Sequence, residues 1–184
     1  MKCKAKETNM KTTAQWWAET RDDAAKLVHW LKRQYVGELA AVNLLSEMLL
    51  KFGADMTPQQ WHDIHKVMQQ EALHASWMKR LLDTRGIAPT RESDATRRYW
   101  AQVLPAVTDL GKASAAAHDA EHMRLFRIRE IAFDMSAPQD IRETFQAILP
   151  HEEWHEVVFA AMRGDVRLDA ARDRGLSALN LVLA

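Results

Sequence analysis

The chain has 184 residues, enough for one domain with its own core. Its 25 Lys and Arg balance its 25 Asp and Glu, which argues against a nucleic-acid binder that works through a basic face. Nearly half the residues are hydrophobic, too many for a disordered chain, and the lone Cys3 excludes an internal disulfide framework or a four-cysteine zinc or rubredoxin-type site.

Residues 1–23 read as a polar N-terminal arm carrying the Trp16-Trp17 pair. The basic start leads into no apolar stretch, so no signal peptide is expected. No apolar run approaches the ~18 residues of a membrane span either, and the expected location is the cytoplasm. Gly53, Pro58, Gly86, Pro89, Gly111, Pro138 and Gly164 cut the remainder into long segments that read as helices. No run of alternating β-branched residues competes, so the expected class is all-α.

The first long helix spans about Ala24 to Phe52, with Leu31, Tyr35, Glu38, Val42, Leu45 and Leu49 on its inner stripe. Gly53-Ala54-Asp55 turns the chain, and Thr57-Pro58 supplies an N-cap and first helical residue. The second helix carries Trp61, Ile64, Met68, Glu71, Ala75, Met78 and Leu82 to about Thr84. A connector from Arg85 to Gly111 follows, with a short helix over Asp94–Leu110 bent or broken at Pro105. The third helix runs from about Lys112 to Met135 on Ala117, Glu121, Leu125, Ile128 and Ala132. After Ser136-Ala137-Pro138, the fourth carries Ile141, Phe145, Ile148, Glu152, His155, Phe159 and Met162, with Pro150 expected to kink or restart it. An amphipathic C-terminal helix is expected over about residues 168–183. All 184 residues then form one domain, with a core bundle over about residues 24–164.

Acid in the apolar stripes is the informative oddity. Glu38, Glu71, Glu121 and Glu152 each take an inward position, one per helix. An unpaired buried carboxylate costs several kcal/mol, so these four need cations or protons. Two of them are followed one turn later by histidine, in Glu71-Ala72-Leu73-His74 and Glu152-Glu153-Trp154-His155. Residues three apart on a helix are surface neighbours, so each Glu-x-x-His can reach one centre. Across an antiparallel hairpin, facing ligands lie equidistant from the turn. The midpoint of Glu38 and Glu71 falls between Ala54 and Asp55, and that of Glu121 and Glu152 between Ser136 and Ala137. Both midpoints lie in the expected turns, and the connector is long enough to cross back along the bundle.

One Glu from each of two helices and a Glu-x-x-His from each of two others is the ligand inventory of four-helix-bundle di-iron and di-manganese carboxylate proteins. Over roughly Ala24 to Gly164 the sequence resembles that ferritin-like superfamily, on Glu38, Glu71, His74, Glu121, Glu152 and His155 in that order. The segment Val36-Gly37-Glu38-Leu39-Ala40-Ala41 also resembles, locally, the first ligand segment of demethoxyubiquinone hydroxylases. The resemblance implies a ferritin-like four-helix bundle: two antiparallel hairpins joined by a long crossover, with extra terminal helical segments. It also implies Glu38/His74 at one metal and Glu121/His155 at the other, with Glu71 and Glu152 bridging. Which single Glu pairs with which His depends on how the bundle packs.

Carboxylate-rich ligation suits hard, oxidisable ions, so the expected cofactor is two Fe ions, with Mn or a mixed Fe/Mn pair as variants. Four carboxylates balance two divalent ions. The resemblance implies an oxidoreductase acting with O2 or peroxide. The leading expectation is an oxidase or monooxygenase that takes a small organic substrate and an external electron donor. Tyr99, Trp100 and Pro105 in the crossover and the aromatic terminal additions are suited to shaping a pocket for it. Ferroxidase or iron-storage activity and a rubrerythrin-like peroxidase are the alternatives, and a bundle with degenerate metal binding is the non-enzyme one. A neutral bundle of this size is also compatible with a homo-oligomer.

His151-Glu152-Glu153-Trp154-His155 separately reads H-E-x-x-H, the zinc-protease signature. A protease of that kind would leave Glu38, Glu71, His74 and Glu121 without a role, and only 29 residues follow His155 to supply a third ligand. His118 and His151 lie one turn from ligand positions and are candidates for an additional ligand or a supporting hydrogen bond. Tyr35, Trp61, Trp77 and Trp154 read as core or interface bulk, and Arg124, Arg127 and Arg129 as a solvated helix face.

Overall fold

The computed structural model describes residues 11–90 and 100–168. Among them, all regular structure is helical: α1 (Thr13–Arg21), α2 (Ala24–Phe52), α3 (Pro58–Asp83), α4 (Leu110–Phe133) and α5 (Gln139–Arg163). Single 3-10 turns occur at Gly53–Asp55 and Leu104–Ala106.

The helix starts follow from local hydrogen bonding. Asp23 caps α2 by accepting from the amides of Ala25 and Lys26, and Asp109 caps α4 by accepting from Lys112. Thr57 and Gln60 form a reciprocal capping box with Pro58 in the first turn of α3. At the far end of α5, Gly164 takes φ +53°, a backbone conformation that glycine adopts without strain.

Two helical hairpins result, α2 against α3 and α4 against α5, and contacts of α3 with α5 and α2 with α4 close the ring in the order α2, α3, α5, α4. His74 meets His151 while Gln70 meets His155, so α3 and α5 run antiparallel. Helix α4 is therefore parallel to α3, so the crossover between Asp83 and Leu110 joins opposite ends of the bundle. In that crossover, residues 100–103 are helical and lead into the 3-10 turn at Pro105. The remainder of the short helix expected over Asp94–Leu110 falls partly on residues 91–99, outside the described residues. The C-terminal helix expected over 168–183 lies outside them too, apart from Leu168.

The core is layered. At one end Leu31, Met78, Leu82, Leu125, Ile128, Ile141, Phe145 and Ile148 pack together, roofed by Trp16, Trp17 and Trp30. At the other end Leu45, Met48, Ile64, Val67, Val158 and Phe159 form a second apolar cluster. The N-terminal arm is thus helical over Thr13–Arg21. α1 closes the first cluster, and Trp17 Nε1 donates to Asp134 Oδ2 at 2.8 Å.

Three expectations need correction. Helix α5 runs through Pro150 without a restart, because buried side chains on both sides of it, Ile148, Leu149, Glu152 and His155, hold the two halves to the bundle. Trp61 is half exposed rather than core: it sits in the first turn of α3 with its ring tilted against His65. The three arginines of α4 do not share a solvated face. Arg129 is solvated and pairs with Glu153, Arg127 lies over the Trp16 ring, and Arg124 turns inward. Among the described residues no helix is long and apolar enough to cross a membrane.

Candidate metal centre

Between the two apolar clusters lies a layer of charge. Glu38 enters it from α2, Glu71 and His74 from α3, Glu121 from α4, and Glu152 and His155 from α5. Each sits on its helix's inward stripe, so the packing that buries the flanking leucines and isoleucines buries these groups too. Five of the six are fully buried and Glu121 is 6% exposed.

The six side chains form two groups, each with its donor atoms within 4.8 Å of one another: Glu38, Glu71, His74 and Glu152, and Glu71, Glu121, Glu152 and His155. Glu71 and Glu152 belong to both. His74 Nδ1 lies 3.3 Å from Glu152 Oε1 and 3.7 Å from Glu71 Oε2. His155 Nδ1 lies 3.3 Å from Glu71 Oε1, 3.5 Å from Glu152 Oε2 and 4.0 Å from Glu121 Oε1. The packing thus puts Glu38 beside His74 and Glu121 beside His155.

The outer imidazole nitrogens are anchored. His74 Nε2 is 3.0 Å from His151 Nδ1, and His155 Nε2 donates to Gln70 Oε1 at 3.0 Å. Both rings therefore present Nδ1 to the carboxylates. His151 stands outside both donor groups, stacked beside His74 and Trp77. His118 is also outside them, next to Asp119 and His122. Tyr35 packs against the apolar cluster at the α1 end.

Inward-facing atoms of five ligand candidates are buried with no hydrogen-bond partner: both oxygens of Glu71, Oε2 of Glu121 and of Glu152, and Nδ1 of His74 and of His155. Leaving a buried polar atom unsatisfied costs about 1–3 kcal/mol, more when it is charged. Oxygens and imidazole nitrogens converging in this way can all be satisfied by a shared cation, so these groups can hold metal ions.

Arg124 is the residue that sequence reasoning missed. Its Nη2 donates to Glu38 Oε1 at 2.8 Å and Oε2 at 2.7 Å, and to Glu152 Oε1 at 3.1 Å. Its Nη1 is 3.7 Å from Glu71 Oε1 and from Glu121 Oε2. The guanidinium thus faces all four carboxylates, with 24% of its side chain exposed. A signal existed: Arg124 follows Glu121 by three residues, the same spacing that put His74 beside Glu71. Gln34, which donates to Glu38 Oε1 at 2.8 Å, and Gln70 were also missed, although each lies one turn from a ligand position or faces one across the bundle.

The carboxylates split by protonation. Burial pushes Glu38 up to about 8, against the pull of Arg124. Burial and the Glu152 charge likewise hold Glu121 well above the usual carboxylate range. Burial acts upward on Glu71 and Glu152 as well, but Arg124 and the imidazoles of His155 and His74 outweigh it and hold both below that range. Burial disfavours charge on His74, yet Glu152 and Glu71 raise it to about 9, and the same pair raises His155. The shared carboxylates are thus ionised at neutral pH, whereas Glu38 retains a proton and Glu121 is shifted in the same direction.

Compared with protein-family models, curated proteins and solved structures, the chain has no match. What it can do has to be argued from this site.

Proposed function

We propose that the chain is a ferritin-like dinuclear carboxylate protein. In this reading it binds two Fe ions, or Mn in their place, and uses O2 to oxidise a small organic substrate with electrons from an external donor. The observation that carries the reading is the sharing of Glu71 and Glu152 between two four-donor groups lined with unsatisfied buried atoms. Each group offers three carboxylates and one imidazole, a hard donor set that suits iron or manganese over copper or a thiolate-bound metal.

A ferrous pair bound there supplies two electrons to O2 together. The chain's own residues do the rest. Glu38 and His74 would hold one ion and Glu121 and His155 the other, with Glu71 and Glu152 between them. His151 and Gln70 fix the two rings so that Nδ1 is the ligating atom. Apolar layers above and below exclude water from the centre. Solvent and substrate meet the site along α4, where Glu121 and Arg124 retain exposure. His151, committed to His74, is not a ligand of the H-E-x-x-H type in this reading.

The test is metal content per chain after purification without chelator, together with particle size and O2 uptake by the ferrous-loaded protein. About two Fe or Mn per chain on a small particle, with O2 consumed faster than by free ferrous iron, is the expected result. Many irons per chain on a large cage would move the assignment to storage, and preferential consumption of peroxide to a peroxidase. A single tightly held zinc, or no metal after anaerobic iron loading, would overturn the dinuclear reading.

A further inference from the structure

The two metal positions are not equivalent, and Arg124 is the reason. Around His155, every member of the group has a buried inward atom without a hydrogen-bond partner: a Glu71 oxygen, Glu121 Oε2, Glu152 Oε2 and His155 Nδ1. Around His74 the situation differs. Both oxygens of Glu38 accept from Arg124 Nη2, Oε1 also accepts from Gln34, and Glu152 Oε1 accepts from Arg124 as well. Glu71 and His74 have inward atoms without partners there, while the free oxygen of Glu152, Oε2, is the one beside His155. On the His155 side, Arg124 lies 3.7 Å from Glu71 Oε1 and Glu121 Oε2, beyond hydrogen-bond distance, and it reaches the shared Glu152 only through Oε1, the oxygen beside His74.

We infer that Arg124 ranks the two positions: its guanidinium keeps the His74 position closed and leaves the His155 position open, so that divalent ions load in order. The inference rests on the dinuclear reading above. A first ion at the His155 position meets four donors and breaks no side-chain hydrogen bond to Arg124. A second ion must take Glu38 from Arg124 and lie where a guanidinium nitrogen now donates, against like charge. The first ion prepares that exchange, because it draws on the same Glu71 and Glu152 that hold Arg124 in place. The guanidinium also has a way out, since its side chain already reaches solvent beside α4. Arg124 is thus a positioning residue that acts on metal loading through Glu38.

The test is titration of the full-length, chelator-stripped chain with Co(II), read by visible absorption, and with Mn(II), read by the EPR signal of free ion. Far-UV circular dichroism checks the fold of each variant. In the wild-type chain the first ion should bind about 100-fold more tightly than the second, the scale on which a buried hydrogen-bonded charge pair acts. Arg124→Met should bring the second affinity to within about tenfold of the first, and Arg124→Lys should restore part of the gap. A wild-type chain that takes one ion and an Arg124→Met chain that takes two would support the ranking equally. Should Arg124→Met fail to fold, the ligand pair decides: Glu38→Gln should retain one tight ion, whereas Glu121→Gln should lose it. Two equally tight ions in the wild type, a gap unchanged by Arg124→Met, or loss of the tight ion in Glu38→Gln alone would overturn the ranking and leave the dinuclear reading standing. No binding by the wild type or by any variant would overturn both.

Discussion

His74 and His151 are joined ring to ring, Nε2 to Nδ1 at 3.0 Å, and that contact leaves Nδ1 as the inward donor of His74. His155 obtains the same orientation from Gln70. An imidazole that ligates through one nitrogen needs its other N–H anchored, or the ring is free to turn. His151→Ala and Gln70→Leu should each weaken metal affinity by about 10–100-fold, with little change in helix content. Competition with a chromophoric chelator measures this; affinities equal to the wild type would mean that these contacts do not orient the ligands.

The shared carboxylates should matter more than the outer ones. Glu71 and Glu152 each belong to both donor groups, whereas Glu38 and Glu121 belong to one each. Glu71→Ala or Glu152→Ala should therefore abolish dinuclear binding while the circular dichroism spectrum stays helical. The fold should survive because the two apolar clusters on either side of the charged layer are untouched. Metal analysis of the purified variants checks this, and full occupancy in either would sink the assignment.

The candidate ligands were legible in the sequence because acid on an apolar stripe is costly enough to demand a reason, and because spacings of three along a helix are local facts. Helix ends were legible where capping chemistry marks them, as at Asp23, Thr57-Pro58 and Asp109. Arg124 was not read correctly because a long side chain can turn its charge either way. Its place among Arg124, Arg127 and Arg129 suggested solvent, and the four carboxylates that draw it inward come from four different helices. Periodicity also marks a face without fixing how fully each residue on it is covered, which is why Trp61 falls on the inner stripe and yet is half exposed. Pro150 looked like a break because a missing N–H is a local cost, while the packing of Ile148 and His155 that offsets it is not local.

Metal loading should release protons. Ligation needs ionised carboxylates and imidazoles whose Nδ1 carries no proton. At pH 7, Glu38 (about 8) and His74 (about 9) hold protons, and Glu121 and His155 are raised as well. Filling both positions near neutrality should expel protons, those of Glu38 and His74 among them, so that apparent affinity climbs between pH 6 and 9. Calorimetric titration in buffers of different ionisation enthalpy counts the protons. An affinity independent of pH over this range would mean that these four groups are not the ligands.

Removing the metal should expose the opposite trend in stability. In the chelated protein His74 is raised from 6.5 to about 9, so the stability it contributes is complete below pH 6.5 and is lost as pH rises to about 9. Glu38 is raised from 4.5 to about 8, so keeping it buried becomes progressively more costly over that interval, once the unfolded chain can ionise it. Glu71 and Glu152 are lowered; their contribution is present above about pH 4.5 and lost in acid. The chelated chain should therefore be most stable in mildly acidic solution and should lose roughly 5 °C or more in Tm between pH 6.5 and 9. The loaded chain should change far less, because ions replace the protons that are given up. Thermal melts at half-unit pH intervals, with and without chelator, measure both curves, and a chelated Tm that rises above pH 7 would contradict the protonation pattern assigned to His74 and Glu38.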